Sequence, residues 1–335
     1  MIVLGMKGGN YMARRTVMYT SNVLNTLYGL LSSDEKPQTE SSHEKPQKES
    51  SKDSTWAVKK IMLNNKECTI GLCTKNSKAY VLTPLEKTVI DMLLSWKELT
   101  VDDETSDSKN NTTIMLSDID WLRDRYKKNQ EHIKIAHDNY KKTFEQLANL
   151  RFIYEEQYSR EDNSFPLLEY SPIMKENELI GIEYNLGKLE QILSSSKQRT
   201  TLNGNAFKYR LNEGMKYFIL RYLVTSIFMN RVKSKAFSRT HKSIVSALVT
   251  TENGRTVSYY DALFDKKYPH KYLKRYLLRL EEVLKFLKEI GYISAFTIEP
   301  ITTLQELKTG AGLVKITTSM SKKRLGQEHI CQNSI

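Results

Sequence analysis

"YPHKYLKRYLLRLEEVLKFLKEIGYI", residues 268–293, is the stretch on which the fold turns. Leu273, Leu277, Leu280, Leu284 and Leu287 recur at helical spacing and define an inward stripe. His270, Lys271, Lys274, Arg275 and Arg279 fall on another face, within the first three turns. Lys271, Arg275 and Arg279 stand four residues apart and make one line along the helix. Glu281 and Glu282 follow, where a polyanion would be repelled. The helix is therefore expected to anchor by its second half and to offer its first half to phosphates or base edges.

The neighbouring residues supply a frame for that helix. "SYYDALFDKKY" predicts a short helix capped by Ser258, followed by a turn holding Lys266 and Lys267. "YISAFTIEPI" and "GLVKITTS" read as strands around the loop "TTLQELKTGA". Upstream, "MKYFILRYLVTSIFMNRV" reads as a strongly apolar helix and "THKSIVSALV" as a helix, or a short helix and strand. The basic run "RVKSKAFSRTHK" between them holds Arg231, Lys233, Lys235, Arg239 and Lys242, and is placed where a loop or helix start would clamp a phosphate backbone.

The same order stands earlier in the chain. In "VLTPLEKTVIDMLLSWKEL", Thr83 and Glu86 form a capping box around Pro84, with Leu85, Val89, Met92, Leu93 and Trp96 on one face. "LSDIDWLRDRY" follows as a shorter helix with Ser117 as cap. "NQEHIKIAHDNYKKTFEQLANL" is longer, with Ile133, Ala136, Tyr140, Phe144 and Leu147 inward. "RFIYEEQYS", "FPLLEYSPIMK" and "LIGIEYNL" are strand-like. "WAVKKIMLNNKECTIGLC" ahead of these reads as a β-hairpin, "GKLEQILSSSKQR" behind them as a short helix, and "TTLNGNAFKYR" as a loop. Three helices leading into strands describe a winged helix. The expected fold class is α+β, mainly α: two tandem winged-helix domains with β wings, over 56–200 and 206–319.

Charge separates the two. The chain carries +12 overall. Residues 206–279 hold 16 Lys or Arg against 4 Asp or Glu, so this segment accounts for the whole surplus. A basic block on a folded segment points to a polyanion partner. In the first domain Lys127, Lys128, Asn129, Gln130, Lys134 and Lys141 are candidates for DNA contact, but Glu131, Asp138 and Glu145 interleave with them. Weaker DNA binding, or a protein contact, is expected there.

Residues 32–55, "SSDEKPQTESSHEKPQKESSKDST", have no apolar side chain except proline and read as a disordered linker. They set off an N-terminal segment, 1–31, whose "TVMYTSNVLNTLYGLL" is mildly amphipathic and suited to dock as a short helix. The tail, 320–335, reads as disordered. With Met1, Met6 and Met12 all near the beginning, the true start is open. No apolar run reaches the roughly 20 residues of a membrane span. The beginning also reverses the order of a secretory signal. Cys68, Cys73 and Cys331 are too few and too scattered for a disulfide framework, and fit reduced thiols in a cytoplasmic protein.

No constellation points to catalysis, a metal or a cofactor. "GIEYNLGK" puts five residues between its glycines where a phosphate loop needs four, and Leu189 stands where Ser or Thr should bind magnesium. The six histidines form neither His-x-His nor His-x-x-Arg, which argues against a nicking enzyme and a tyrosine recombinase. A binding protein rather than an enzyme is expected.

Across 79–319 the layout resembles the tandem winged-helix replication initiators of plasmids, which bind repeated origin sites. "VLTPLEKTVIDMLLSWKEL" is similar to that family's Leu-Thr-x-x-Glu opening helix. "LLEYSPIMKENELIGIEYNLGKLEQIL" is similar to its wing hairpin and following helix. "NAFKYRL" is similar to the segment that joins its domains, and "MKYFILRYLVTSIFM" to the helix that opens its second domain. The resemblance implies a second domain that reads the repeats. It implies a first domain that gives a dimer interface and backbone contacts. It also implies origin opening with recruitment of host helicase or initiator proteins. A sequence-specific transcription regulator, a transfer or partition accessory protein, and a winged-helix scaffold for protein or RNA are the competing expectations.

Overall fold

The computed structural model describes residues 15–28, 57–63, 66–76, 80–100, 112–123, 129–156, 163–196, 198–208, 214–230, 235–252, 255–264 and 269–318. The linker 32–55, the tail 320–335, and Lys127, Lys128, Arg231, Lys233, Lys266 and Lys267 lie outside them.

Among the described residues, four elements precede the first long helix: β1 (Thr16–Tyr19), α1 (Asn22–Leu27), and β2 (Ala57–Leu63) and β3 (Lys66–Thr74), which form a hairpin. The long helix α2 (Pro84–Thr100) opens as the sequence predicts. The Thr83 backbone N–H donates to Glu86 Oε2 at 2.6 Å, and the Glu86 N–H donates to Thr83 Oγ1 at 3.3 Å. Its burial exceeds the one expected face, since every residue from Glu86 to Ser95 is buried. Polar members of that run are satisfied by neighbours. Lys87 Nζ donates to the Tyr28 carbonyl at 2.8 Å, and Ser95 Oγ accepts from the Val17 N–H at 3.0 Å.

The first half continues with β4 (Thr112–Met115), α3 (Leu116–Leu122), α4 (Gln130–Ala148), β5 (Leu150–Glu156), β6 (Ser164–Pro166), β7 (Glu169–Lys175), β8 (Glu178–Asn185) and α5 (Gly187–Ser196). Two antiparallel sheets result, ordered β2-β3-β5-β6 and β4-β8-β7. In the second, Ile114 pairs with Ile182 and Tyr170 with Tyr184. Gly181 permits the close approach of β4: a Cβ there would sit 2.7 Å from Met115 Sδ and 2.8 Å from the Ile114 carbonyl oxygen. Strand β4 was not expected, because its pairing partner lies some seventy residues away. Ser117 is not the cap of α3; Met115 holds that place, and its N–H donates to Asp118 Oδ2 at 2.8 Å.

The second half comprises α6 (Gly214–Asn230), β10 (Ala236–Thr240), α7 (His241–Ser246), the hairpin of β11 (Val249–Glu252) and β12 (Arg255–Ser258), α8 (Tyr259–Phe264), α9 (Pro269–Glu289), β13 (Ile293–Ile298), α10 (Leu304–Thr309) and β14 (Leu313–Thr318). Its three-stranded sheet runs β10-β14-β13. The sheet β4-β8-β7 has the same plan: the strand before the helices pairs with the last strand, which pairs with the one between. The basic run expected as a loop or helix start contains β10. The loop expected between the last strands contains α10, closed by a capping box of Thr303 and Glu306 and left-handed Gly310.

The described part of the N-terminal piece, residues 15–28, holds the expected short helix, α1, and an unexpected strand, β1, and both are packed into the core. β1 pairs antiparallel with β9 (Arg199–Leu202), which occupies the expected loop before the second half. Thr16 Oγ1 donates to the Gly204 carbonyl at 2.8 Å and accepts from the Ala206 N–H at 3.0 Å.

The halves meet through a buried ion pair. Arg221 of α6 donates through one guanidinium nitrogen to Asp91 of α2 at 2.7 Å and through the other to the Tyr19 carbonyl at 2.9 Å. Its guanidinium carbon lies 4.5 Å from the centroid of the Tyr28 ring. The hydroxyls of Tyr28 and Tyr217 also donate to Asp91. Both charged groups are thus out of water and paired on several sides, the condition under which a buried pair holds.

Candidate nucleic-acid interface

Helix α9 begins on Pro269, where a missing N–H is harmless. Its buried face is Leu273, Tyr276, Leu280, Val283, Leu284, Phe286 and Leu287. The expected stripe is shifted, because Tyr276 takes a core place and Leu277 is only half-buried. One reason is His241, buried at the start of α7. Its Nδ1 lies 3.1 Å from the Tyr276 hydroxyl, and its Nε2 lies 2.8 Å from the Glu299 carbonyl oxygen. Burial raises the Tyr276 pKa well above the ordinary phenol value, so the hydroxyl keeps its proton and donates it to Nδ1. Nε2–H then donates to the carbonyl. Burial holds the His241 pKa below its ordinary value, with the Glu299 carbonyl opposing. The neutral ring joins α7, α9 and the end of β13.

The opposite face of α9 presents His270, Lys271, Lys274, Arg275 and Leu278, all exposed. Among the described residues, Lys271, Lys274 and Arg275 have no carboxylate partner. Arg279 does not extend this line as expected. It is half-buried and donates to Glu282 at 3.0 Å, and Lys216 of α6 reaches the same carboxylate at 2.7 Å. Glu281 is paired with Lys285 at 2.8 Å. The acidic residues that follow the basic turns are thus engaged by local cations. Leu278 was missed in the sequence because Leu277 and Leu278 adjoin and either fits a helical stripe.

The other candidates divide. Lys235 is exposed beside β10, and Lys242 is half-buried in α7. Arg239 of β10 is half-buried, with its guanidinium 5.3 Å from the Phe237 ring. Lys315 of β14 is paired with Glu299 at 2.7 Å. The loop between β13 and β14 folds back: Leu307 of α10 is buried, and Glu306 accepts from the N–H groups of Thr302 and Thr303.

In the first half, Asn129 caps α4, its side chain accepting from the Glu131 N–H at 3.1 Å. That role occupies the oxygen a base-reading asparagine would use. Gln130, Lys134 and Lys141 are exposed, and so are Glu131, Asp138 and Glu145. His137 is turned toward Asp120, with Nε2 2.7 Å from its carboxylate. The β7–β8 turn carries Lys175, Glu176, Asn177 and Glu178, with Glu176 and Asn177 at φ 50° and 65°.

Among the described residues, no group of three or more His, Cys, Asp or Glu is placed to hold a metal ion, and no helix is long and apolar enough to cross a membrane. No family model matches the chain, and no curated protein matches it. Crystal structures of domains 2 and 3 of RctB are similar to it. A selenomethionine form covers 80% of this chain and 92% of that chain at 13% identity, with a TM-score of 0.42. Another covers 81% and 94% at 10% identity, with a TM-score of 0.45.

Proposed function

We propose that the chain binds duplex DNA through its second half, laying the first three turns of α9 in the major groove, and that it initiates replication of a plasmid or mobile element from repeated sites. In this reading both halves are winged helices, and the protein works by binding and deforming DNA, without catalysis. The observation that carries it is the outward face of α9: Lys271, Lys274 and Arg275 stand together without a carboxylate partner among the described residues, on a helix fixed to the core by its other face. A helix of about 10–12 Å diameter fits a groove about 12 Å wide, and its N-terminal turns meet base edges. Arg275 is suited to guanine O6 and N7, and the lysines to phosphates or guanine. Lys235, exposed beside β10, and Lys242 of α7 are the candidates for added backbone contacts. The initiator role rests on the resemblance of the tandem layout to plasmid initiators.

The test is selection of bound duplexes from the DNA flanking the protein's own gene, followed by footprinting. Direct repeats of about two helical turns (roughly 20 base pairs) beside an AT-rich stretch are expected, given a turn of about 10 base pairs. A single operator overlapping a promoter would replace the initiator with a regulator. Absence of any duplex preference would end the DNA reading.

A further inference from the structure

We propose that Leu278 reads a thymine through its C5-methyl group, as a specificity-determining contact of the same face; the inference rests on the DNA reading of α9. Lys271, Lys274, Arg275 and Leu278 stand at i, i+3, i+4 and i+7 and so form one stripe. At 100° per residue Leu278 falls between Lys274 and Lys271 in angle, on the centre line of the basic stripe rather than at its edge. The residue is 53% exposed, and the buried face of the helix does not include it. It is the last outward residue before Glu281 and Glu282, whose carboxylates are held by Lys285, Arg279 and Lys216.

A leucine cannot pair with N7, O6, N4 or N6, and pressed on those atoms it would strip their water without replacement. The apolar group that the major groove offers is the thymine methyl. Leu278 lies one helical turn, about 5 Å, beyond Lys274, and base pairs are about 3.4 Å apart. The thymine is therefore expected one or two base pairs from the position held by Lys274 and Arg275. The contact supplies discrimination where a further cation would supply only attraction.

The experiment uses the full chain and a duplex site recovered by selection. Each thymine is replaced in turn by deoxyuridine, which removes only the methyl. At one position wild-type protein should bind about fourfold more weakly, the worth of one buried methyl. Leu278→Ala should bind the intact site about fourfold more weakly and be indifferent to deoxyuridine at that position, while Leu278→Met keeps the sensitivity. The thermal midpoint of Leu278→Ala should be unchanged, since the side chain supports no core. Additive losses at every thymine would overturn the assignment. Lys271→Ala/Arg275→Ala tells the two failures apart: if it binds duplex as wild type does, the DNA reading falls and takes this inference with it. If it weakens binding while no thymine couples to Leu278, only the assignment of Leu278 falls.

Discussion

Helices α4 and α9 each follow a short helix; α9 leads straight into its three-stranded sheet, whereas α4 leads first into β5 and β6 of the four-stranded sheet and only then reaches β7 and β8. Their inner faces solve the same problem with similar residues: Ala136, Tyr140, Phe144 and Leu147 in one, Leu273, Tyr276, Leu280 and Leu284 in the other. Their outward stripes differ. In α4 the residues at i, i+3, i+4 and i+7 are Glu131, Lys134, Ile135 and Asp138, a net charge of −1. In α9 they are Lys271, Lys274, Arg275 and Leu278, a net charge of +3. Packing constrains the inner face in both helices and leaves the outer face to whatever each helix meets. The difference between them is a statement about partners, not about fold.

The largest effect expected concerns whether the halves act as one body. Arg221→Met leaves Asp91 buried without its cation, and should lower the unfolding free energy by about 3–5 kcal/mol in chemical denaturation. Asp91→Leu/Arg221→Met should recover most of that loss. A single-variant loss below about 1 kcal/mol would mean that this pair does not join α2 to α6.

Next comes the face itself. Lys271→Ala/Lys274→Ala/Arg275→Ala should weaken binding to a selected duplex by about a hundredfold, since each lost base or phosphate contact is worth about 1–3 kcal/mol or less. Lys134→Ala/Lys141→Ala should change it by less than about threefold in the same titration. Equal losses would break the contrast between the helices. The contrast is sharpened by transplanting charge: Glu131→Lys/Asp138→Lys gives α4 an outward stripe like that of α9. It should raise non-specific duplex affinity by about tenfold at low salt, with the gain vanishing at high salt.

The smallest effect is one of pH. His241 is held neutral by burial, with its folded pKa below the unfolded value. The unfolded chain therefore takes up the proton first, and stability contributed by neutral His241 is lost as pH falls through about 6.5 toward the folded pKa. Denaturation midpoints should drop more between pH 7 and pH 5.5 in wild type than in His241→Gln. A drop of equal size in both would place the acid-sensitive group elsewhere.

Much of this was legible in the sequence because its causes are local. Thr83, Pro84 and Glu86 announce the start of α2 within four residues, and the apolar period of 269–289 announces α9. What stayed hidden depends on distant partners. Strand β1 pairs with β9, about 180 residues later, so its own mild amphipathicity pointed to a helix instead. Strand β4 is made by its pairing with β8. Glu282 captures Arg279 with help from Lys216, which no pattern around 279 reveals. Asn129 reads in the sequence as a DNA-contacting residue, and the geometry makes it the cap of α4 instead.

Whether α9, and not α4, grips the phosphate backbone is decided by the salt dependence of duplex binding. The slope of log affinity against log salt should fall in magnitude by about 2 in Lys271→Ala/Lys274→Ala, close to one counterion for each lysine taken from a phosphate. It should stay at the wild-type value in Lys134→Ala/Lys141→Ala. An unchanged slope in the α9 variant, or an equal fall in the α4 variant, would place the phosphate grip elsewhere than on α9.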